Sequence, residues 1–562
     1  HWAVMSEIVV AINVLGQLEN ELGSRCLATL GMTILQRVDA PKRMMLLKQT
    51  IPLPRLLRIG LAFAAVLVSL IATSCSKAAD PDTFVMIIES SPTNLDPRVG
   101  LDAQSERIDE LIFDALLTRD EHLNVQPGLA EKWEMADPLT YVFHLHKGVR
   151  FHDGRPLSSR DVKWTFDSLL QGKIRSTKSA TYRLVDRIEA PDDLTVVFKL
   201  KEPFSTLPWN LSEGAIGIVP DGSGEEITRK PIGTGPFRFV SAEADKEVVL
   251  ERNDDYWDQK ARLKRVRFNV VPDTITRALE LRKGSADAAV NALTPDIVLA
   301  LEQDPKLEVK RGPGTTLTYL SFNTRDPILK DVRVRQAIAC AIDRQPLIEY
   351  LWRGFAKPAS SILPPQSWAY SGLQPLAFDP QRARTLLDAA GYPTKDGSRF
   401  RLTIKTSTDE SARLLAAVLQ QQLRNVGIEL DIRTFEFATF FADVTSGVFQ
   451  AYALRWIGGN EDPDIFEYVY HSSKFAPKGA NRGFYASPRV DTIIEQARTE
   501  ANPAVRKALY AQLQQILAEE VPSINLWYLD TVLVHSKRVK NAEINPSGNY
   551  NFLKSAEVEN SR

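Results

Sequence analysis

Residues 141–167 read YVFHLHKGVRFHDGRPLSSRDVKWTFD and predict a strand, a tight turn and a helix, in that order. The opening YVFHL alternates between apolar and polar residues, which is typical of a half-buried strand. Asp153–Gly154 predicts the turn, because these residue types accept its backbone conformation. Ser158 and Asp161 have the spacing of a capping box, which predicts the start of a helix. The stretch therefore belongs to a fold that combines sheet and helix.

Strands and helices alternate on either side of this stretch. Upstream, TFVMII (83–88) predicts a buried strand that runs into a turn-rich segment. Downstream, FRLTIKT (400–406) and IELDIRT (428–434) flank a helix that ends at Gly427, an order that favours a βαβ unit. Near the end of the chain, INLWYL and TVLVH predict two further strands. The fold class is therefore α/β, with a parallel or mixed sheet.

Length and composition narrow the range of functions. The chain has 562 residues, more than one hydrophobic core usually supports, so two or three domains are expected. Its 69 basic and 70 acidic residues give a net charge of −1, which offers no electrostatic case for a nucleic-acid partner. The cysteines, Cys26, Cys75 and Cys340, are too few for a disulfide framework or a cysteine-rich zinc site.

Residues 44–74 are predicted to form a secretory signal peptide. Basic residues precede the apolar run 59–71, and the small residues ATS then lead to Cys75. The run is shorter than the roughly 20 residues that cross a bilayer. A cysteine directly after small residues resembles a bacterial lipobox, in which that cysteine is acylated, although Ala72 stands where Leu or Val is usual. An ordinary short membrane anchor is the alternative, and residues 1–43 are expected to be an upstream extension outside the fold.

Several motifs occur in the order found in one protein family. They are SSPTNLDP (90–97), LAEKWE (129–134), the stretch 141–167, PIGTGPFRF (231–239), NDDYW (253–257), FNT (322–324), VRQAIACAID (334–343) and WIGGNEDPDIF (456–466). Each motif alone is weak. Together, over about residues 82–545, they resemble the bacterial extracellular solute-binding proteins of family 5, the peptide- and nickel-type receptors of ABC importers.

The resemblance implies a two-lobed periplasmic-binding-protein fold of type II, in the large peptide-binding subclass. Strands cross between the lobes, and the ligand is enclosed when the lobes close about this hinge. Crossing strands are expected near 228–240 and 310–322. The implied core of lobe one is discontinuous and comprises 82–121, 227–317 and 525–555. An extra subdomain of lobe one, expected to stay away from the ligand, comprises 122–226. Lobe two comprises 318–524.

The implied function is to capture a peptide or peptide-like solute and to deliver it to a membrane permease. The protein is expected in the periplasm or at the cell surface, as a lipid-anchored monomer. Other subunits would hydrolyse ATP, so no cofactor is expected. A lipid-anchored sensor or chaperone-like receptor that is not coupled to transport is the alternative. An enzyme is not expected, because the sequence lacks G-x-S-x-G, H-E-x-x-H and G-x-x-x-x-G-K-[ST].

The resemblance also implies cleft residues. In the family, the segment equivalent to GNEDPD (459–464) lines the ligand cleft from lobe two, so Trp456 is expected as an aromatic wall and Asn460 as an amide that donates and accepts. Asp462–Pro463 is expected to fix the turn. The carboxylates of this segment lack the spacing of a calcium loop, so ligand binding is preferred to calcium binding. Further candidates are Tyr319, Asn323 and Trp368.

Two departures from the family bear on the ligand. Gly459 stands where the dipeptide and oligopeptide receptors have the aspartate that holds the ligand's ammonium. Asp409 falls, within one or two residues, where the dipeptide receptors have the arginine that holds its carboxylate. Free dipeptides are therefore not expected, whereas capped or longer peptides, oligosaccharides and opine-like compounds fit better. Arg455 suits an anionic ligand or a surface role, and Glu461 or Asp462 is an alternative source of the lost negative charge.

His144, His146 and His152 raise the possibility of a metal site, since alternate strand positions place the first two on one face. The family keeps polar or basic residues there on the outer face of a strand, so a solvated strand face is preferred and no metal is expected. Cys340 lies in the apolar segment AIACAI and is expected to be a small buried hydrophobic residue.

Overall fold

The computed structural model describes residues 82–120, 123–212, 216–500 and 502–559. The predicted signal peptide 44–74, Cys75 and the extension 1–43 lie outside these described residues. No helix within the described ranges combines the length and apolar character that a bilayer crossing requires.

The strands begin and end at these residues: β1 Thr83–Ile88, β2 Leu117–Arg119, β3 Val125–Pro127, β4 Ala130–Asp137, β5 Thr140–Leu145, β6 Val185–Asp192, β7 Thr195–Leu200, β8 Phe237–Glu243, β9 Glu247–Arg252, β10 Arg265–Val270, β11 Ala288–Val290, β12 Leu307–Phe322, β13 Ala356–Pro358, β14 Phe400–Ser407, β15 Ile428–Phe435, β16 Ala451–Trp456, β17 Ser523–Ser536, β18 Val539–Lys540 and β19 Glu557–Val558.

The α-helices are α1 Ala103–Ile112, α2 Ser159–Leu170, α3 Leu207–Asn210, α4 Thr274–Lys283, α5 Pro295–Leu301, α6 Val332–Ala341, α7 Arg344–Trp352, α8 Pro380–Ala389, α9 Glu410–Arg424, α10 Phe437–Ser446, α11 Ile465–Tyr470, α12 Pro488–Thr499 and α13 Pro503–Glu520. Short 3₁₀ turns lie at Thr177–Tyr182, Glu225–Thr228, Ser472–Lys474 and Asn551–Lys554.

A mixed sheet of 11 strands runs through the fold in the order β15-β14-β16-β12-β17-β11-β1-β10-β9-β8, with β13 also paired to β17. Its two long strands, β12 of 16 residues and β17 of 14 residues, pair antiparallel and join the halves of the sheet. The predicted βαβ unit is present, since β14 and β15 pair in parallel around α9. The register between β12 and β17 shifts between Pro313 and Leu317, which places a backbone irregularity where the halves meet.

The strand that accompanies β12 across the sheet differs from the sequence-based expectation. The expected crossing window 228–240 overlaps only the first part of β8, which lies at the edge of the sheet and pairs with β9. The partner of β12 is instead β17, which unites the two strands predicted from INLWYL and TVLVH. Asp530 interrupts the apolar pattern between those runs, but it lies opposite Pro313, where the two long strands cross. Because β17 pairs with β12 on both sides of Asp530, the two apolar runs INLWYL and TVLVH form one continuous strand.

The stretch 141–167 forms the predicted strand, turn and helix. β5 lies within a separate sheet of 4 antiparallel strands, in the order β4-β5-β7-β6. Gly154 takes a φ of +88°, which favours glycine at the turn. The N–H of Ser158 donates to Oδ2 of Asp161 at 2.7 Å, which is the capping contact that the spacing predicts at the start of α2.

Buried apolar residues form separate clusters in different parts of the fold. One cluster packs β14 and β16 against α6 and α9, and another packs α10 to α13 together. A third packs α1 against β1, β9 and β10, and the small sheet has a cluster of its own with α2. β12 contributes to clusters on both sides, with Leu307 at one end and Leu320 near the other. Each part therefore has its own core, and the long strands connect them.

Candidate functional site

A cavity of about 350 Å³ lies where β12 and β17 cross between the halves of the sheet. One wall comes from α1, from Arg119 at the end of β2 and from Leu123 beyond it, and the other comes from the loop 457–461 that follows β16. Thr315 and Thr316, within the register shift of β12, also line the cavity. The volume falls within the roughly 300–1,000 Å³ of small-molecule sites in proteins. The cavity is therefore the right size for a small solute.

Asn460 holds the irregular part of β12 in place. Its side chain is fully buried, and Nδ2 donates to the carbonyl oxygens of Thr315 and Ile362, each at 3.0 Å. Oδ1 is also buried and has no hydrogen-bond partner among the described residues. The amide predicted for ligand binding thus makes its donor contacts within the protein, directly behind the cavity wall.

Carboxylates line both walls of the cavity. Glu106 and Glu110 lie one helical turn apart on α1, and Glu461 lies on the opposite loop. Burial raises the pKa of Glu106; Lys178 opposes this rise, while the negative charges of Asp102 and Glu461 add to it. The Nζ of Lys178 is 3.8 Å from Oε1 of Glu106. Because the charge of Glu461 acts on Glu106, the walls interact electrostatically across the cavity.

Two arginines also line the cavity, and each stacks on an aromatic ring. The guanidinium of Arg107 lies 5.5 Å from the ring centre of Tyr550, and that of Arg119 lies 4.4 Å from the ring centre of Trp209. Cation–π contacts of this kind hold a guanidinium in place without neutralising it. The cavity therefore presents charges of both signs.

Gly458 and Gly459 shape the loop on the second wall. Their φ angles are +71° and +68°, in the left-handed region that favours glycine. No heavy atom lies within 4 Å of the position that a Cβ would occupy at either residue. Trp456 secures the loop, because its indole N–H donates to the carbonyl oxygen of Gly458 at 2.8 Å. The fold thus brings Gly459 to the cavity and uses Trp456 to hold the backbone that leads there.

Trp456 and Tyr319 line a second cavity of about 30 Å³. Tyr319 is buried, and its ring meets that of Tyr452 edge to face with centres 5.9 Å apart. Arg482 donates to the Tyr319 hydroxyl at 3.4 Å, and its guanidinium lies 5.7 Å from the Trp456 ring centre. A space of this size accepts a water molecule but not a peptide.

Arg455 and Asp409 face each other instead of lining either cavity in the described part of the chain. A terminal nitrogen of Arg455 lies 3.8 Å from Oδ2 of Asp409. Asp409 caps α9, where Oδ1 accepts the N–H of Ala412 at 3.0 Å. Burial raises the pKa of Asp409, but hydrogen bonds from Ser411 and Ala412 outweigh it and leave the pKa below its ordinary value. Asp409 therefore stabilises a helix start.

Asn323 and Trp368 have packing partners elsewhere in the fold. Nδ2 of Asn323 donates to the carbonyl oxygen of Phe449 at 3.0 Å, which joins the end of β12 to the start of β16. The ring of Trp368 meets that of Tyr510 edge to face at 5.9 Å, and the guanidinium of Arg506 lies 5.1 Å from its centre. Neither residue is among those that line the two cavities described above.

The three histidines of the opening stretch have separate surroundings. His144 and His146 each lie 3.9 Å from a glutamate of β4. His152 joins the turn to the segment 231–239, with its Nε2–H donating to the carbonyl oxygen of Gly235 at 3.0 Å. Burial lowers the pKa of His152 to about 4. Within the residues that the structure describes, no three His, Cys, Asp or Glu side chains are grouped as metal ligands.

The family model described as Bacterial extracellular solute-binding proteins, family 5 Middle, matches residues 124–477. The chain belongs to this family. This solute-binding protein is 27% identical to the dipeptide-binding protein of Escherichia coli, over 86% of this chain and 96% of the relative. It is 29% identical to the glutathione-binding protein GsiB of Pectobacterium atrosepticum, over 88% and 97%. It is 27% identical to heme-binding protein A of Haemophilus influenzae, over 84% and 92%.

Solved structures of relatives have the same fold. The peptide-bound DppA of Helicobacter pylori is 28% identical, with a TM-score of 0.72 over 85% of this chain and 98% of that one. The oligopeptide-binding protein AppA of Bacillus subtilis, in complex with a nonapeptide, is 26% identical, with a TM-score of 0.70 over 85% and 99%. The expected family and the two-lobed α/β fold class are therefore confirmed. The relatives named above are solute-binding receptors, and their ligands differ widely.

The sequence analysis of this family-5 protein did not predict that α1 forms one wall of the cavity. Glu106 and Glu110 have the i, i+4 spacing of one helix face, opposite the buried Ile108 and Leu111. Their position after the motif SSPTNLDP was the available signal. Leu123, the first described residue of the expected subdomain 122–226, also lines this cavity.

Proposed function

We propose that this protein is the ligand-capturing receptor of an ABC importer. It encloses a peptide or peptide-like solute between α1 and the loop 457–461 and presents it to a membrane permease. The observation that carries the proposal is the position of the cavity: it lies between parts with separate cores, at the long strands that connect them. Periplasmic binding proteins close about such strands when ligand binds.

Membership of this family supports a solute-binding function for the protein and not a catalytic one. The relatives are named for the dipeptide, glutathione, heme or oligopeptide that they bind, and one solved relative is described as ABC transporter-associated. The alternative of a sensor or chaperone-like receptor without a transporter is not favoured by these names. Enzymatic activity and a cofactor are not part of the proposal.

The lobes that we propose follow the crossing of β12 and β17. Lobe one would comprise 82–121, 227–317 and 525–555, with 122–226 as its extra subdomain, and lobe two would comprise 318–524. The register shift between Pro313 and Leu317 supports a boundary at that point. The separate apolar clusters support the same division.

The proposed location is outside the cytoplasmic membrane, in the periplasm or at the cell surface. The order of basic, apolar and small residues before Cys75 supports export and acylation at that cysteine. One acyl chain anchors a protein only marginally, whereas several anchor it stably. The proposed partners are the solute, the permease and, through the anchor, the membrane, with the receptor itself a monomer.

The proposal is tested by identifying the molecule that copurifies in the cavity. The full chain is purified and denatured, and the released small molecules are measured by mass spectrometry. The wild type is expected to release a peptide-like compound. Thr316→Trp, which fills the cavity, is expected to release roughly five- to 150-fold less, because overpacking costs roughly 1–3 kcal/mol. Thr492→Trp, on the exposed surface of α12, is the matched control. Equal release from a folded Thr316→Trp variant would contradict the proposed site.

A further inference from the structure

The part of the chain that carries the small antiparallel sheet touches α11 and α12, in a contact that we name the clasp. The hydroxyl of Ser205 donates to the carbonyl oxygen of Arg498 at 2.7 Å, and Nη2 of Arg183 lies 3.3 Å from Oε1 of Glu467. The small sheet and the helices have separate apolar cores. All four clasp residues lie outside β12 and β17, so the clasp joins the parts at a second place, apart from the long connecting strands.

On the side of the small sheet, the two clasp residues are held in position by contacts within their own part of the fold. Arg183 follows the 3₁₀ turn Thr177–Tyr182, and Ser205 lies just before α3. The hydroxyl of the buried Tyr182 donates to the carbonyl oxygen of Asn210 in α3 at 2.7 Å. This hydrogen bond ties the turn to the helix, so Arg183 and Ser205 are presented to α11 and α12 together.

On the side of α11 and α12, the clasp can break without leaving a buried charge unpaired. Arg498 lies in the last turn of α12, where carbonyl oxygens have no donor within the helix and bind water when they are exposed. Glu467 has two other cationic neighbours, since its Oε1 lies 3.0 Å from Nζ of Lys474 and 3.4 Å from Nη1 of Arg498. The clasp is therefore a contact that can form and break reversibly.

The clasp adjoins both walls of the cavity without lining it. Glu467 belongs to α11, which begins shortly after the cavity-lining loop 457–461. On the other side, the cavity-lining Arg119 stacks on Trp209 of α3. None of the four clasp residues is among those that line this cavity. Neighbouring segments therefore provide the cavity and the clasp, but different residues form each.

We propose that the subdomain 122–226 acts as a clasp that holds the closed form of the receptor through Ser205 and Arg183. The inference rests on the proposed closure about β12 and β17, and it gives the subdomain a role that does not depend on the identity of the solute. Rotation about the long strands separates the small sheet from α11 and α12, so the clasp belongs to the closed form alone. A contact made in one of two conformations shifts the equilibrium toward that conformation. The clasp therefore strengthens the binding of any solute that the closed cavity encloses.

The test compares the full wild-type chain with the double variant Ser205→Ala/Arg183→Gln. Bound small molecules are removed by unfolding and refolding, and a mixed hexapeptide library is the probe. Loss of the clasp should lower the ratio of closed to open protein about tenfold, because a hydrogen bond and a half-exposed ion pair each change an equilibrium a few-fold. If the closed form dominates without solute, the double variant will have a larger radius of gyration in small-angle scattering. If the open form dominates, the variant will bind the library about tenfold more weakly.

Ser179→Ala/Arg187→Gln is the matched control variant. The hydroxyl of Ser179 donates to the carbonyl oxygen of Ser176, and Arg187 pairs with Asp186 and Glu189, so these contacts stay within the subdomain. The control makes the same chemical changes as the test variant and should match the wild type in radius and in library binding.

The conservative variant Ser205→Thr/Arg183→Lys separates the clasp from a role in folding alone. It keeps a hydroxyl and a positive charge, so it should recover most of the closure and of the library binding that Ser205→Ala/Arg183→Gln loses.

The outcomes distinguish failure of the clasp from failure of the receptor function. A double variant that equals the wild type in both radius and library binding would overturn the clasp and leave the receptor function standing. A wild type that does not bind the library would contradict the proposed peptide-receptor function. The solute-free radius then decides the clasp: a larger radius in the double variant supports it, and an equal radius overturns it.

Discussion

Asp462→Asn is expected to stabilise the protein at neutral and alkaline pH and to leave it unchanged in acid. The Asp462 side chain is 5% exposed, and its Oδ1 accepts the N–H of Asp464 at 2.8 Å. Burial raises the pKa of Asp462 to about 7, against the opposing effects of Arg506 and Arg119. Asparagine retains an oxygen for the Asp464 N–H and has no charge to bury. The substitution therefore removes the cost of ionising a buried group and keeps its hydrogen bond.

The magnitude follows from the two pKa values of this carboxyl. In the unfolded chain it titrates near its ordinary value of 3.8, whereas in the folded protein its pKa is about 7. A group whose pKa is raised by folding contributes stability that is complete below the unfolded pKa and is lost as the pH rises through the folded pKa. Each pKa unit corresponds to about 1.4 kcal/mol, so the wild type loses on the order of 4 kcal/mol between about pH 3.8 and pH 8. The asparagine variant keeps this stability.

The assay is urea unfolding of the wild type and the variant at about pH 4 and about pH 8. The free energy of unfolding of Asp462→Asn should exceed that of the wild type by a few kcal/mol at about pH 8 and by little at about pH 4. Asp258→Asn makes the same chemical change at an exposed position and should show no such pH-dependent gain. A difference between Asp462→Asn and the wild type that is equal at the two pH values would refute the reasoning, because the carboxyl would then ionise in the folded protein as it does in the unfolded chain.

Two further predictions follow from the sequence. Cys75→Ala should move the exported protein from the membrane fraction to the soluble fraction, because the acylation site is lost; a variant that stays with membranes as the wild type does would exclude lipidation at this residue. Free dipeptides should bind more weakly than micromolar in calorimetric titrations, because the family resemblance places Gly459 where an aspartate would pair with the ligand's ammonium. Asp409, which the resemblance places within one or two residues of the arginine for the ligand's carboxylate, faces Arg455 instead and lines neither of the two cavities described above. Gly459→Asp should create or strengthen dipeptide binding, since space for the side chain is open and aspartate is one of the residue types that occur most often at the left-handed φ of +68° found there. Micromolar binding of any free dipeptide by the wild type would contradict this prediction.

Local patterns in the sequence determined the elements that depend on near neighbours. The strand, turn and capped helix of 141–167 and the parallel pair β14 and β15 form as predicted. Their signals are side-chain alternation, a turn dipeptide and a cap three residues from its partner. The order of motifs also identified the family and the two-lobed fold. These features were predictable because the interactions that specify them act between residues close in sequence, or because the motifs recur in a fixed order along the chain.

Only the tertiary structure decided which residues face one another across the cavity. Glu106 and Glu461 are separated by most of the chain, and their interaction depends on how the two halves of the sheet are joined through β12 and β17. The same distance in sequence hid the pairing of β12 with β17, and it hid the use of the Asn460 amide to hold Thr315. The sequence states which side chains are polar. The groups that each side chain contacts depend on the register of strands distant in sequence and on which residues are buried beside it. That is why the motifs identified the family, whereas the position of Glu106 opposite Glu461 was not predictable from the sequence.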